Sequence, residues 1–396
     1  MKLILKRKMD YRDLPHFRFD SKAAIVFKGT PVELKGNLLF CWPYRWETDT
    51  HSDLVSRLGA DVKNWITKVD TCATIGVKWT DQINDVALST TYFAPQIWIR
   101  DACQNDTTYA KLLTLFKAIY LTTFLDDCTD TNVLLEQPPT IVYLNLAKLI
   151  YKICLFKISS IEEMQNQDEF NDIVKIFPKT ETSLKMAFDL SKTLKYQFDA
   201  TQETAKHFAM QFRYFFELRI WGQEKNTNHV ISSGLQQYRR VLSSGFTPLL
   251  EIVFLLNGSA IPAVVRENAY WSRCWYVAGF LLGRVNDIIS LEKELLEFEK
   301  FKIVPDNIIL NYLINENCTF DLAIERTLRE HNDALKEFNE TVSFLQTYPD
   351  HLFDLNDDMK ECFLDSLNTI GEFISRSVQA HVIIKRYLKN IEFKIE

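Results

Sequence analysis

Apolar residues recur three and four positions apart, stretch after stretch, from Ser52 towards the C-terminus. Glycine and proline barely interrupt them, at 11 each in 396 residues. A 3.6-residue period over long segments selects α-helices, and so few breakers exclude a sandwich or barrel of many short strands. The pattern is plain in SDLVSRLGADVKNWITKV, TYAKLLTLFKAIYLTTFL, SLKMAFDLSKTLKYQF, HFAMQFRYFFELRIW, WYVAGFLLGRVNDIISLEKELLEF and FISRSVQAHVIIKRYL. Several of these are apolar nearly all round, which marks helices buried on every side. The expected fold class is all-α: one helical bundle around a central cavity, occupying residues 51–396. The stretch GQEKNTNHVISSG reads as a short polar loop. Residues 1–50 differ: AAIVFKGTPVEL has strand-like residues and a Gly-Thr-Pro turn, and FCWPYRWE is rich in aromatic residues. They read as an N-terminal segment packed on the main domain.

The balance of residues excludes several classes of function. With 47% hydrophobic residues the chain can bury a large core. The net charge of −6, with no Lys/Arg stripe, excludes nucleic acid as the expected partner. No uninterrupted apolar run reaches membrane-spanning length; PLLEIVFLL is broken by Glu251. The opening MKLILKRKMD is too short in its apolar part for a signal peptide. The eight cysteines are scattered with no C-x-x-C spacing, which argues against a disulfide framework or zinc site. The expectation is a soluble cytoplasmic protein, monomer or homodimer.

One cluster resists a structural explanation. FLDDCTD places Asp126, Asp127 and Asp130 directly after the run Leu112–Leu125. Towards the C-terminal end of a helix the macrodipole disfavours negative charge. Burial adds a desolvation cost, and like charges four residues apart repel. The nearest basic residues along the chain are Lys117 and Lys148. A bound cation offsets such charge, and all-oxygen ligands point to a hard one, Mg²⁺. A near-copy, DDMKE at Asp357–Glu361, follows Asn356, a good N-cap residue, and needs no cation.

A second oxygen cluster lies in NDIISLEKE. Asn286, Ser290 and Glu294 are spaced i, i+4, i+8, which keeps them on one helical face. Going back along that face come Gly283, Leu282, Gly279 and Trp275. Glycine in a helix costs about 1 kcal/mol against alanine, so the pair leaves room for a partner helix or for a ligand. The matching face before DDCTD carries Thr123, Tyr120, Ile119 and Phe116.

Together these residues resemble the class I terpene synthases of microbial type, also found in some animals. DDCTD matches that family's D-D-x-x-D motif, and NDIISLEKE its second metal motif, N-D-x-x-S-x-x-K-E. The resemblance extends over roughly residues 60–390. It implies a class I terpenoid synthase-like bundle in which Asp126, with Asp127 or Asp130, and Asn286, Ser290 and Glu294 hold three Mg²⁺ ions on the diphosphate of a prenyl diphosphate. It implies a diphosphate-sensing arginine at Arg240, with Arg239 as its neighbour, and a helix break at Ser243, Ser244 and Gly245. Lys293 matches a diphosphate-contacting lysine. Arg386 and Tyr387 match a C-terminal Arg-Tyr pair, in a less typical setting.

The implied reaction is Mg²⁺-dependent ionisation and cyclisation of geranylgeranyl or farnesyl diphosphate to a terpene hydrocarbon or alcohol, with the longer substrate slightly favoured by chain length. It needs no nucleophilic side chain, in keeping with the lack of any Ser-His-Asp or Cys-His pattern. The carbocation needs a dry pocket, and aromatic faces attract cations. Phe116, Tyr120, Thr123, Gly245, Trp275, Gly279 and Gly283 are its expected walls. Two alternatives remain: a chain-elongating prenyl diphosphate synthase, which would carry a second aspartate-rich motif in place of NDIISLEKE, and an inactive helical relative that binds prenyl diphosphate.

Overall fold

The structure is a computed structural model that describes residues 16–21, 25–27, 30–32, 35–39, 51–69, 77–136, 140–178, 180–218, 232–258, 261–301, 306–383 and 391–395. For the strands and for 77–82, 126–136, 140, 233, 301 and 382–383 it gives the backbone course alone. FCWPYRWE, most of the GQEKNTNHVISSG loop, and the Arg386–Tyr387 pair lie outside the described residues.

Four short strands come first: β1 (His16–Ser21), β2 (Ile25–Phe27), β3 (Thr30–Val32) and β4 (Lys35–Leu39). Helices follow: α1 (Ser52–Val69), α2 (Val77–Phe93), α3 (Gln96–Asp101), α4 (Asp106–Glu136), α5 (Thr140–Cys154), α6 (Ile161–Gln165), α7 (Asp168–Ile176), α8 (Thr180–Gln197), α9 (Gln202–Glu217), α10 (Ser233–Ser243) and α11 (Phe246–Asn257). Then come α12 (Ala263–Arg266), α13 (Ala269–Ile289), α14 (Leu291–Phe301), α15 (Ile308–Ile314), α16 (Phe320–Thr347), α17 (Pro349–Leu352), α18 (Asp357–Ile383) and β5 (Ile391–Ile395). The architecture is helical, as the periodicity requires, with small sheets added. Two compact units emerge, Glu47–Ala260 and the pair of segments Met1–Trp46 and Ile261–Glu396.

In Glu47–Ala260, helix bounds follow the apolar period. α1 buries Leu54, Leu58, Val62, Trp65 and Ile66, a stripe at the helical repeat. α4 buries Leu112, Leu115, Phe116 and Ile119 at 4% exposure or less; each such side chain contributes roughly 1.5–3 kcal/mol. α9 starts in a capping box, with Thr201 and Thr204 each bonding the other's backbone N–H. It carries a ladder of rings, Phe208 against Phe212 at 5.5 Å and Phe215 against Phe216 at 4.8 Å. α11 is buried along almost its whole length, Glu251 included, and ends at Gly258, whose φ of +72° closes the helix in the left-handed conformation.

The second unit joins the two ends of the chain. β1 is the middle strand of an antiparallel sheet ordered β4-β1-β5, with Phe17 opposite Leu38 and Ile395. β2 and β3 form a separate hairpin in which Phe27 pairs with Thr30, so Thr30 and Pro31 belong to the strand rather than to its turn. β4 runs beside α16 and β2 beside α14. Among the described residues no single helix is long and apolar enough to cross a membrane; α10 and α11 meet that length only as a pair bent by 42°.

Candidate active site

The first acidic motif sits inside α4, not at its end. The helix continues to Glu136, more than a turn past Asp130. The dipole acts mainly within the last turn, so it contributes less here than the sequence pattern suggested. What remains is the i, i+4 repulsion between Asp126 and Asp130 and the apolar segment that leads into them. The side chains of Asp126, Asp127 and Asp130 lie outside the described residues.

The face that leads into the motif is largely buried. Phe116 and Tyr120 are 0% and 1% exposed, and Tyr120 stacks on Phe124 at 6.3 Å. Thr123 is half-buried. In the same unit the break between α10 and α11 abuts this helix. Gly245 has φ +76°, and a Cβ there would lie 3.2 Å from Phe215 Cε2 and 3.3 Å from Thr122 Cγ2. The left-handed φ is what calls for glycine, and a Cβ would in addition press on both neighbours. Ser244 Oγ turns back to the Val241 carbonyl at 3.0 Å as α10 ends. The break thus falls on the small residues singled out in the sequence. Arg239 and Arg240, on the last turns of α10, are both buried.

The second motif does not occupy one continuous helix. α13 ends at Ile289, Ser290 is its C-cap, and α14 starts at Leu291. The backbone bonds Ser290 N to Asn286 O and Glu294 N to Ser290 O carry the helical register across the bend. Ser290 Oγ also donates to Asn286 O at 2.7 Å. Serine back-bonding of this kind competes for the carbonyl and bends helices, which explains the interruption.

Each oxygen of this motif has a defined setting. Ser290, 2% exposed, has donated its only hydroxyl hydrogen, so lone pairs are what it offers a further group. The Asn286 amide nitrogen lies 3.2 Å from His381 Nε2. His381 Nδ1 is 2.7 Å from the Ser377 carbonyl, which only accepts; Nδ1 therefore carries a hydrogen, and in that tautomer Nε2 accepts from Asn286. Glu294 Oε2 accepts from Asn307 Nδ2 at 2.6 Å. An amide oxygen, a hydroxyl and a carboxylate form a hard donor set that fits Mg²⁺.

Behind the motif lies a buried ionic network. Arg284 is 1% exposed, 3.7 Å from Asp287 Oδ2 and 3.1 Å from Glu330 Oε2, with its guanidinium 4.2 Å from the centre of the Phe280 ring. Asp287, the acid inside the second motif, is thus held by an arginine of its own helix. Burial pushes the nearby His331 imidazole down to about 4, and Arg284 adds to that. Trp275 is half-buried; Gly279 and Gly283 are buried. Lys293 pairs with Glu297 one turn on, at 3.5 Å. Sequence reading missed His381 and Asn307. Neither stands at a helical spacing from the motif residue it touches; the one local signal was Asn307 as the N-cap before IILNYL.

A family model described as terpene synthase family 2, C-terminal metal binding, matches residues 117–337, more than half of the chain. No curated protein matches by sequence. In fold the chain is similar to 2-methylisoborneol synthase from Streptomyces coelicolor A3(2), crystallised with Mg²⁺ and 2-fluoroneryl diphosphate: 15% identity, 89% of this chain and 97% of that one covered, TM-score 0.65. It is similar also to hedycaryol synthase in complex with HEPES (15%, 87% and 98% covered, TM-score 0.64) and to a cucumene synthase variant (12%, 86% and 98%, TM-score 0.62).

Proposed function

The chain belongs to terpene synthase family 2 and is a lyase of the terpene cyclase kind, and from that premise we propose that it converts a linear prenyl diphosphate, geranylgeranyl or farnesyl diphosphate, to a terpene hydrocarbon or alcohol. The carbon–oxygen bond to diphosphate breaks with its electron pair leaving on oxygen, and the allylic cation closes on its own double bonds. The cyclised cation ends by losing a proton to give a hydrocarbon, or by taking up water and losing a proton to give an alcohol. The observation that carries the reading is the second motif's donor set, in which Ser290 has spent its hydrogen on Asn286 O and Asn286 has turned its amide nitrogen to His381.

Asn286, Ser290 and Glu294, with Asp126 and Asp127 or Asp130, are the proposed ligands of three Mg²⁺ ions. When bound, Mg²⁺ supplies Lewis-acid neutralisation of charge on the departing diphosphate. Arg240, Lys293 and Arg386 donate charge-assisted hydrogen bonds to that group; Lys293 exchanges Glu297 for it. Phe116, Tyr120, Thr123, Gly245, Trp275, Gly279, Gly283 and Tyr387 are the proposed walls that exclude water and fold the substrate. Gly279→Leu should then alter the product ratio or favour a shorter prenyl chain while diphosphate binding survives.

Incubation with geranyl, farnesyl and geranylgeranyl diphosphates, with and without Mg²⁺, tests the assignment. A hydrocarbon or alcohol formed only with Mg²⁺ supports it. A longer diphosphate would make the chain an elongating synthase, and binding without turnover an inactive relative. Mg²⁺ and diphosphate together should raise the melting temperature by more than their separate shifts, since each needs the other in the site.

A further inference from the structure

We infer that Asn307 and His381 are positioning residues for the second motif: they set which oxygen of Glu294 faces the cation, and that Asn286 turns its oxygen rather than its nitrogen there. The inference rests on the proposed role of those two residues as Mg²⁺ ligands. A glutamate carboxylate turns freely about its last torsion, and an asparagine amide presents either oxygen or nitrogen. Neither becomes a ligand of defined geometry until its other atoms are held.

Asn307 holds three helices with one amide. It is 0% exposed. Its Nδ2 donates to the Asp287 carbonyl at 2.7 Å and to Glu294 Oε2 at 2.6 Å. Its Oδ1 accepts from Ile309 N at 2.8 Å and from Leu310 N at 3.4 Å. Two donors and two lone pairs are all a side-chain amide has, so Asn307 is saturated and cannot turn. The Asp287 carbonyl belongs to the last turn of α13, which lacks intrahelical partners. One side chain therefore closes α13, caps α15 and fixes one oxygen of Glu294 at the start of α14.

His381 performs the same service for Asn286. Its ring, 3% exposed, is locked to its own helix through Nδ1–H to Ser377 O. In the tautomer that this bond fixes, Nε2 is the acceptor for the Asn286 nitrogen, so Oδ1 lies on the other side of the amide. Neither residue is within the motif, and each enters from another element.

Capping and positioning separate by substitution. Asn307→Ser and Asn307→Asp keep an N-cap acceptor for α15 but lose the amide that donates to Asp287 O and Glu294 at once, serine keeping a single shorter O–H; Asn307→Ala loses both. His381→Leu removes the acceptor for Asn286 far from any cap. The reading is the Mg²⁺ concentration at half the diphosphate-dependent rise in melting temperature, with the Mg²⁺ dependence of turnover beside it. Asn307→Ser, Asn307→Asp and His381→Leu should each raise that concentration about tenfold or more, the usual size for an outer-shell loss. Without Mg²⁺, Asn307→Ser should melt closer to wild type than Asn307→Ala. Midpoints within about twofold of wild type in the folded variants would overturn the inference, provided Glu294→Gln abolishes the shift. If Glu294→Gln keeps the shift, the metal assignment itself fails and the inference with it. Should Asn307→Ser not fold, Asn307→Asp and His381→Leu decide.

Discussion

The acids of DDCTD and DDMKE are spelled almost alike, and the helices treat them in opposite ways. Asp357 and Asp358 open α18, exposed, behind Asn356, whose Oδ1 accepts from Met359 N at 2.9 Å. Lys360 in the same turn bonds the Asp350 carboxylate at 2.6 and 2.7 Å. Those acids meet the positive end of a helix and water. Asp126, Asp127 and Asp130 lie well inside α4, after a segment whose side chains are buried, with no helix start to receive them. An acidic triplet thus carries information only through its place on the helix. Where the helix already accounts for the charge, no ligand is needed; where it does not, one is implied.

The largest effect should separate the two clusters by activity. Asp126→Ala should lower turnover by about 1,000-fold or more, on the order of 4 kcal/mol of barrier, with the fold retained. Asp358→Ala should stay within about twofold of wild type. Near-normal turnover in a folded Asp126→Ala would break the comparison at its root.

Stability comparisons between the clusters need pH held above the range in which His331 responds. Unfolded, a histidine takes its proton near 6.5; His331 in the folded chain does so only at about 4. Between those values the unfolded state binds the extra proton. Stability from this source is therefore complete above about pH 6.5 and falls as pH drops towards 4, by about 3 kcal/mol at most. Urea unfolding at pH 7 and pH 4.5 should show that loss in wild type and much less of it in His331→Gln. Equal losses in both would refute the assignment.

Smaller effects sharpen the structural side. Asn356→Ala should destabilise the protein by about 1 kcal/mol through loss of the cap, with activity unchanged, as read by thermal melting and product formation. Asp358→Asn should cost about 0.3–1 kcal/mol at low salt and nearly nothing at high salt, since dipole interactions at an exposed helix start are screened. A salt-independent loss would mean that Asp358 does more than face the dipole.

Much of the fold was legible because it is local. Ser52–Val69 emerges as α1 with the bounds its apolar stripe suggests; the α10–α11 break at Ser243–Gly245 falls where the family resemblance implied it. The bend at Ser290 was not legible: the apolar period runs through it, and serine is an ordinary helix residue until its hydroxyl is seen on the Asn286 carbonyl. Asn307 and His381 were hidden for a different reason. Side-chain hydrogen bonds across elements have no period, so Asn286, Ser290 and Glu294 could be picked out from their spacing while the partners of Asn286 and Glu294 could not.

The sheet order β4-β1-β5 has a consequence in time. Ser21 pairs with Ile391, so β1 waits for a partner made about 370 residues later, roughly 20–75 s at usual rates of synthesis. Until then the middle strand of the finished sheet is an edge, with Phe17 and Phe19 on one of its faces. Open edges recruit foreign strands. Each newly made chain therefore passes through an interval in which β1 must stay unclaimed, and the emergence of β5 brings that interval to a close.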